Sequence, residues 1–385
     1  MHVLKPHEYS TIEGLSVSLH DQGMALSVLA GVRPGVVVAN HGKSPTTLLI
    51  AAPEGSFAWT YLAGDPCDRV FRKELSAWLF DERGLGLDVA FSFLACDRPE
   101  WEDTLSEILS PRTVIPDRRL HYECMSRPAD WRNTVPDGYR IADVDQALLD
   151  SDADMHPRIS QWMAANFGST AGFLEHGVGA VAVHEDKIVG WILADSFVDG
   201  LSDIGGEIEE AHRRKGLARA ATCRTLDLAL DRGAERIGWH CHAINVPSVK
   251  TAEAAGFGLK YAYTVYPIHF DPEKHEKLVG IIVGEYVEAG NAAIASGDYP
   301  KADESFAMAL RLTTDAAPDV LHSAARAAAA AGEADRAFEL LLKALKAGWS
   351  NAMQTVKQPE FESLRGDDRW PTLIERLESR KNPAD

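Results

Sequence analysis

The chain has 385 residues, 45% hydrophobic and 25% charged, enough for large buried cores divided among two or three domains. Its 39 basic and 57 acidic residues give a formal charge of -18, which argues against general binding to nucleic acid or anionic membrane and leaves room for a local basic pocket. The opening residues MHVLKPHEYST lack an apolar core with a cleavage site, and no later run reads as the roughly 20 apolar residues of a membrane span, so a cytoplasmic protein is expected.

From Pro34 onward, short β-rich segments predict strands at Gly35 to Ala39, Thr46 to Ala51 and Phe57 to Leu62, separated by Asn40-His41-Gly42 and Pro53-Glu54-Gly55. A helix is expected over Cys67 to Phe80, with Val70, Leu75, Trp78 and Leu79 as its buried stripe. A strand at Leu87 to Leu94, a helix around Glu100 to Leu109 and a strand at Leu120 to Met125 follow. The polar linker Ser126 to Asp137 then leads to a new unit opening at Tyr139-Arg140-Ile141-Ala142. Helical segments are expected at Val144 to Asp150 and Pro157 to Asn166. Strands at Gly179 to Val183 and Lys187 to Asp195 meet at the turn His184-Glu185-Asp186, and a third runs from Ile204 to Glu209. The helix from Gly216 to Leu230 puts Ala220, Cys223, Leu226 and Leu230 on one face and stops at Asp231-Arg232-Gly233. Arg236 to Cys241 reads as a strand, Pro247 to Ala255 as a helix with Pro in its first turn, and Gly258 to Tyr266 as a last strand. Residues 35 to 125 and 179 to 266 therefore repeat one order: three strands, helix, strand, helix, strand. Two related lobes are predicted.

Beyond Val279 the pattern changes to alanine-rich amphipathic helix. Gly290, Ala293, Gly297-Asp298-Tyr299, Ala302, Phe306 and Ala309 recur as Ala325, Ala328, Gly332-Glu333-Ala334, Ala337, Leu341 and Ala344, a period of about 35 residues. Small residues at that spacing let paired helices approach closely, which resembles the tetratricopeptide repeat. Pro359 to Leu377 reads as a capping segment. Two repeats are few for a free solenoid, so the helices are expected to pack on the lobes or on a protein partner.

One stretch carries most of the chemistry. Arg213-Arg214-Lys215-Gly216-Leu217-Ala218-Arg219 is a basic turn between a strand and a long helix, where unpaired N–H groups and the positive end of the helix dipole suit phosphate oxygens. The corresponding place in the first lobe reads Ala63-Gly64-Asp65-Pro66-Cys67-Asp68, whose aspartates would repel phosphate. Glu207 and Glu209 share a strand face about 7 Å apart and are candidate general bases, with solvated edge charges as the alternative. The sequence Trp239-His240-Cys241-His242 puts two histidines on one face without a nearby third ligand, so packing or substrate contact is expected rather than metal. The five cysteines include no C-x-x-C pair, and buried thiols are expected. The aspartates between Asp195 and Asp203 could attract a cationic amine, or form a solvated loop.

These residues carry a resemblance. Residues 139 to 266 look like the GNAT superfamily of N-acetyltransferases, whose signature [RQ]-x-x-G-x-[GA] is met by Arg213, Gly216 and Ala218, with Ile208 at the strand end and Asn245, Ser248 and Gly256-Phe257 at the second landmark. The resemblance implies tandem GNAT-like lobes of α/β (α+β) class with mixed, largely antiparallel sheets, followed by an all-α tail. The expected domains are 1–130, without cofactor, 137–270, binding acetyl-CoA, and 278–385. It implies that Ile208, Arg213, Arg214, Lys215, Gly216, Leu217, Ala218, Arg219, Asn245 and Ser248 hold acetyl-CoA as co-substrate, with no metal. Transfer to a primary amine would be by direct attack, with Glu207 as first choice of base and Glu209 as second. The general acid departs from the family: the usual Tyr position is Ala252. Tyr263, Tyr261, Ser248 or a water could replace it, and Tyr263 is carried as the candidate. The alternative is a non-catalytic acyl-CoA sensor whose tail binds a protein partner.

Overall fold

The computed structural model describes residues 1–81, 87–127, 131–151, 157–313 and 315–379. Residues 128–130 of the expected linker lie outside them. The chain divides into two compact units, Met1–Pro272 and Glu273–Asp385.

Unit one is built on a single sheet of twelve strands: β1 (His2–Leu4), β2 (Val36–Ala39), β3 (Thr47–Glu54), β4 (Phe57–Gly64), β5 (Phe91–Cys96), β6 (Asp117–Cys124), β7 (Tyr139–Asp143), β8 (Gly179–His184), β9 (Lys187–Val198), β10 (Leu201–Ile208), β11 (Arg236–His242) and β12 (Gly258–His269). Their spatial order is β1-β2-β3-β4-β5-β12-β6-β11-β10-β9-β8-β7. The mixed, largely antiparallel character and the tandem order of elements agree with expectation. Local patterning did not foretell the pairing in the middle. Each lobe gives its last strand to the other: β6 pairs with β11 of the second lobe, and β12 pairs with β5 of the first. β6 and β12 also pair together, so the two lobes form one continuous sheet.

Both faces of the first lobe are covered, and the period of two sorts its residues. On β3, Leu49 and Ala51 face the helix Arg69–Asp81, whereas Leu48, Ile50 and Ala52 pack against Ile12, Leu19, Ala25 and Val28 of the N-terminal helical segments. The stripe of the Arg69–Asp81 helix differs from expectation by one position. Phe71, Leu75 and Leu79 are buried at four-residue spacing, while Val70 is 70% exposed. The helix begins at Arg69 rather than at Cys67, and Asp68 accepts from Phe71 N; Phe71, Leu75 and Leu79 form the row that packs on the sheet. In the second lobe the helix Leu217–Asp231 lays Ala220, Cys223, Leu226 and Ala229 on the core formed by Val181, Ile192, Ile237 and Trp239. Thr225 ties that helix to β9 through a 3.0 Å bond to the Ile192 carbonyl.

Unit two is all helical: Pro272–Ser296, Tyr299–Leu312, Pro318–Ala330, Ala334–Ala347, Ala352–Lys357 and Arg369–Ser379. Gly290, Ala293, Ala302, Phe306, Ala309, Ala325, Ala328, Ala337, Leu341 and Ala344 are all buried. The small residues of the 35-residue pattern thus form helix contacts. One finding differs from the sequence reading: Pro272–Ser296 is long and apolar enough, by length and composition, to cross a membrane. Glu285 and Glu288 break its apolar run in sequence, and Gly290, Ala293 and Ile294 near its end belong to the unit's own buried residues.

Candidate active site

The central opening arises where two parallel strands part. β10 and β11 pair only from Leu201 to Asp203 against Arg236 to Gly238, although they continue to Ile208 and His242. A register shift between Asp203 and Ile204 marks the point of departure. The equivalent parallel pair in the first lobe, β4 with β5, stays in register over Phe57–Leu62. Only the second lobe opens at this place.

Beyond β10 lies the basic turn. Gly216 adopts φ +80 at the start of the Leu217–Asp231 helix, which has no side-chain cap, and Arg214 also has a left-handed φ of +61. Arg213 Nε donates to the Ile208 carbonyl at 2.9 Å, Lys215 Nζ to the Tyr139 hydroxyl at 2.6 Å, and Arg219 Nε to the Ala254 carbonyl at 2.8 Å. Arg213, Arg214, Lys215 and Gly216 are exposed, whereas Leu217 is buried and Ala218 half-buried. Ile208 and Leu217 pack together with Ala182 and Val189, so their side chains serve the core and only their backbone borders the turn. In the first lobe, Asp68 accepts from Phe71 N at 2.9 Å. There a carboxylate already occupies the helix start where an anion would sit.

Behind the opening is a cavity of about 240 Å³. Gly205, Gly206, Trp239, His240, Asn245 and Ser248 line its second-lobe side; Glu54, Trp59, Tyr61, Arg119 and Tyr263 come from the exchanged region and the first lobe. Asn245 caps the helix Val246–Ala254 by accepting from Ser248 N at 3.2 Å, and Ser248 in turn accepts from Trp239 Nε1 at 3.0 Å. A polar chain crosses the cavity. Arg119 donates from Nε to the Tyr263 hydroxyl at 3.2 Å, and its Nη1 lies 3.0 Å from His242 Nε2, whose ring is held by Asp117 at 2.6 Å. The same Tyr263 hydroxyl lies 2.9 Å from His240 Nδ1, and His240 Nε2 faces Asp203 Oδ1 at 3.5 Å. Burial raises the Tyr263 hydroxyl above the ordinary tyrosine range, against the pull of Arg119. Burial would raise Asp203 as well, but His240, His121 and the Gly23 N–H hold its carboxyl below its ordinary value.

The predicted catalytic residues separate. Tyr263 is in the cavity wall, while Tyr261 sits against His121, ring centroids 4.9 Å apart. Glu207 is one alternation beyond Gly205 on the same strand face, outside the cavity lining, and pairs with Arg158. Glu209 is exposed past the strand end. Ala252 is fully buried. His240 and His242 contact neighbouring side chains, and among the described residues no three His, Cys, Asp or Glu converge on a metal position. Sequence reasoning missed Arg119, which reaches the site through the strand exchange, and Glu54, which stands at the end of β3 of the first lobe. It noted Asp195 and Asp203, and both stand in the cavity wall rather than in a solvated loop.

The half-open parallel pair, the uncapped basic helix start and the polar cavity behind them occur in a chain whose sequence family is one of acyltransferases. The chain belongs to the GNAT acetyltransferase family, whose sequence model matches residues 17–266. Among solved structures it is similar to a GCN5-related N-acetyltransferase-like protein from Streptococcus suis, at 20% identity and TM-score 0.51, covering 68% of this chain and 98% of that one. It is similar also to a GCN5-related N-acetyltransferase from Sphaerobacter thermophilus, at 15% identity and TM-score 0.43, covering 70% and 96%. A tandem GNAT protein from the clavulanic acid biosynthesis pathway matches at 12% identity and TM-score 0.46, covering 70% and 99%. The likeness to the first of these is one of fold. No curated protein matches the chain.

Proposed function

We propose that the protein transfers an acetyl group from acetyl-CoA to a primary amine by direct attack in a ternary complex. The observation that carries this reading is the early end of the β10–β11 ladder at Asp203 and Gly238, next to the uncapped helix start at Gly216. The pyrophosphate would lie on the turn from Arg213 to Arg219, and the pantetheine arm would enter the opening and pair with the free edge of β10 near Ile208. Asn245 and Ser248 line the cavity that the arm would enter.

The amine nitrogen forms a bond to the thioester carbonyl carbon as the carbon–sulfur bond breaks, and one proton passes from nitrogen to sulfur. We assign Tyr263 as the acid that protonates sulfur, because Arg119 stabilises the phenolate left behind and His240 stands within hydrogen-bonding distance to restore its proton. His240, facing Asp203, is better placed than Glu207 to receive the proton of the amine, since Glu207 is engaged by Arg158 outside the cavity. Glu207 and Glu209 remain available as bases only through intervening water.

A thiol-release assay with acetyl-CoA over a panel of small amines tests the reading. Release dependent on amine is expected, and Tyr263→Phe should lower kcat by about 10²–10⁴-fold while leaving acetyl-CoA affinity unchanged. Acetyl-CoA binding without thiol release on any amine would favour the sensor instead.

A further inference from the structure

The cavity holds more acid than its own bases neutralise. Glu54, Asp195 and Asp203 line it with Arg119, His240 and His242, and Arg33 stands behind, so three carboxylates meet two guanidinium groups and the His240 ring that faces Asp203. Both arginines make their hydrogen bonds elsewhere than to these carboxylates. Arg33 donates to the Pro53 and Asp195 carbonyls and to the Asn166 amide, and Arg119 lies over the Trp59 ring at 4.5 Å while bonding to Tyr263 and His242. Asp203 is 4% exposed; its Oδ2 takes the Gly23 N–H at 3.0 Å and its Oδ1 faces His240 Nε2 at 3.5 Å. Asp195 Oδ1 is buried without a hydrogen-bond partner. Burial, together with the Glu54 and Asp203 carboxylates, pushes the Asp195 carboxyl well above its ordinary value despite Arg33 and Arg119, as expected of a carboxyl that lacks its counter-ion.

The walls beside these carboxylates are aromatic. Trp59 is taken on its two sides, by Arg119 and by Phe93 stacked at 4.7 Å. Trp162, fixed by its bond to the Ala194 carbonyl at 3.3 Å, and Trp239 remain as apolar walls of the cavity. At about 240 Å³ the space equals about eight water volumes, part of which the acyl group would fill.

We propose that the cavity takes its acceptor as a compact primary ammonium ion of fewer than about ten non-hydrogen atoms, seated on Asp195 and Asp203 beside Trp162 and Trp239, with Glu54 of the first lobe in the same wall. The first lobe is thereby part of the acceptor site, without a cofactor of its own. The proposal rests on the acetyltransferase reading for what becomes of the bound amine.

Isothermal titration of the full chain in the absence of acetyl-CoA, at pH 7, compares n-butylamine with 1-butanol, its neutral counterpart of similar shape. The ammonium should bind at millimolar concentration and at least about tenfold more tightly than the alcohol. Asp195→Asn and Glu54→Gln should each weaken n-butylamine by about fivefold or more while keeping acetyl-CoA affinity, which also reports that they fold. Equal binding of the alcohol, no binding of n-butylamine, unchanged affinity in both variants, or tighter binding of a lysine-containing pentapeptide would each overturn the proposal. Ammonium binding by a chain that does not bind acetyl-CoA would defeat the acetyltransferase reading and leave the cation site standing.

Discussion

His121, packed against His240, shows what full burial does to a single side chain. It is fully buried between His240, at 4.2 Å between ring centroids, and Tyr261, and neither of its ring nitrogens has a hydrogen-bond partner. Burial, reinforced by His240, lowers its pKa to about 4. The unfolded chain therefore takes up a proton near pH 6.5 that the folded chain refuses until about pH 4. Stability is full above pH 6.5 and is lost as the pH falls from there toward 4, by on the order of 3 kcal/mol from this group. Urea unfolding of the Met1–Pro272 unit followed between pH 7 and 4 should show that slope, and His121→Phe should flatten it. An identical slope in both proteins would contradict the assignment. Tyr263 could be read from the sequence as one of several candidate acids, and its neighbours explain why it stands out: Arg119 and His240 meet at its hydroxyl. Of those two, His240 was visible in the Trp239-His240-Cys241-His242 run, but no local pattern distinguished Arg119 from other strand arginines.

At the scale of elements, the helices of the second unit test whether the period of small residues is a packing code. The Cβ of an alanine at Gly290 would lie 2.7 Å from the ring of Phe306, which is itself fully buried and cannot yield. At Gly284, in the same helix, a Cβ would meet nothing within 4 Å. Gly284→Ala should therefore stabilise the helix by about 0.5–1 kcal/mol, whereas Gly290→Ala should cost about 1–3 kcal/mol through overpacking, both measured by chemical denaturation. Stabilisation by both changes would show that the repeat reflects helix propensity alone. The elements themselves were legible for ordinary reasons: alternating residues bury both faces of β3, and Gly216 opens the helix of the second lobe. What escaped was the N-terminal stretch, with the strand His2–Leu4 and the helix Gly23–Leu29, and the helix Thr170–His176, each too brief to show a period.

The Met1–Pro272 unit reads as two lobes that share one sheet. Sequence order revealed the duplication, because each lobe repeats the same succession of elements. It could not reveal that β6 and β12 change places, since a strand's hydrophobic pattern records that its faces are buried and not which edge it joins. That exchange brings Arg119 and Tyr263 beside His240. The lobes differ at the proposed cofactor turn: β4 and β5 stay paired and Asp68 caps the helix that follows, while β10 and β11 part and Gly216 leaves its helix without a side-chain cap. On this proposal acetyl-CoA binds once per chain, on the turn from Arg213 to Arg219. Its most direct test is the stoichiometry of acetyl-CoA binding by isothermal titration, for the natural chain, Gly216→Asp and Gly216→Asn. One site is predicted, abolished by the aspartate, whose charge opposes phosphate, and retained more fully by the asparagine, which tolerates the same backbone. Two sites per chain, or binding that survives Gly216→Asp unchanged, would contradict the account.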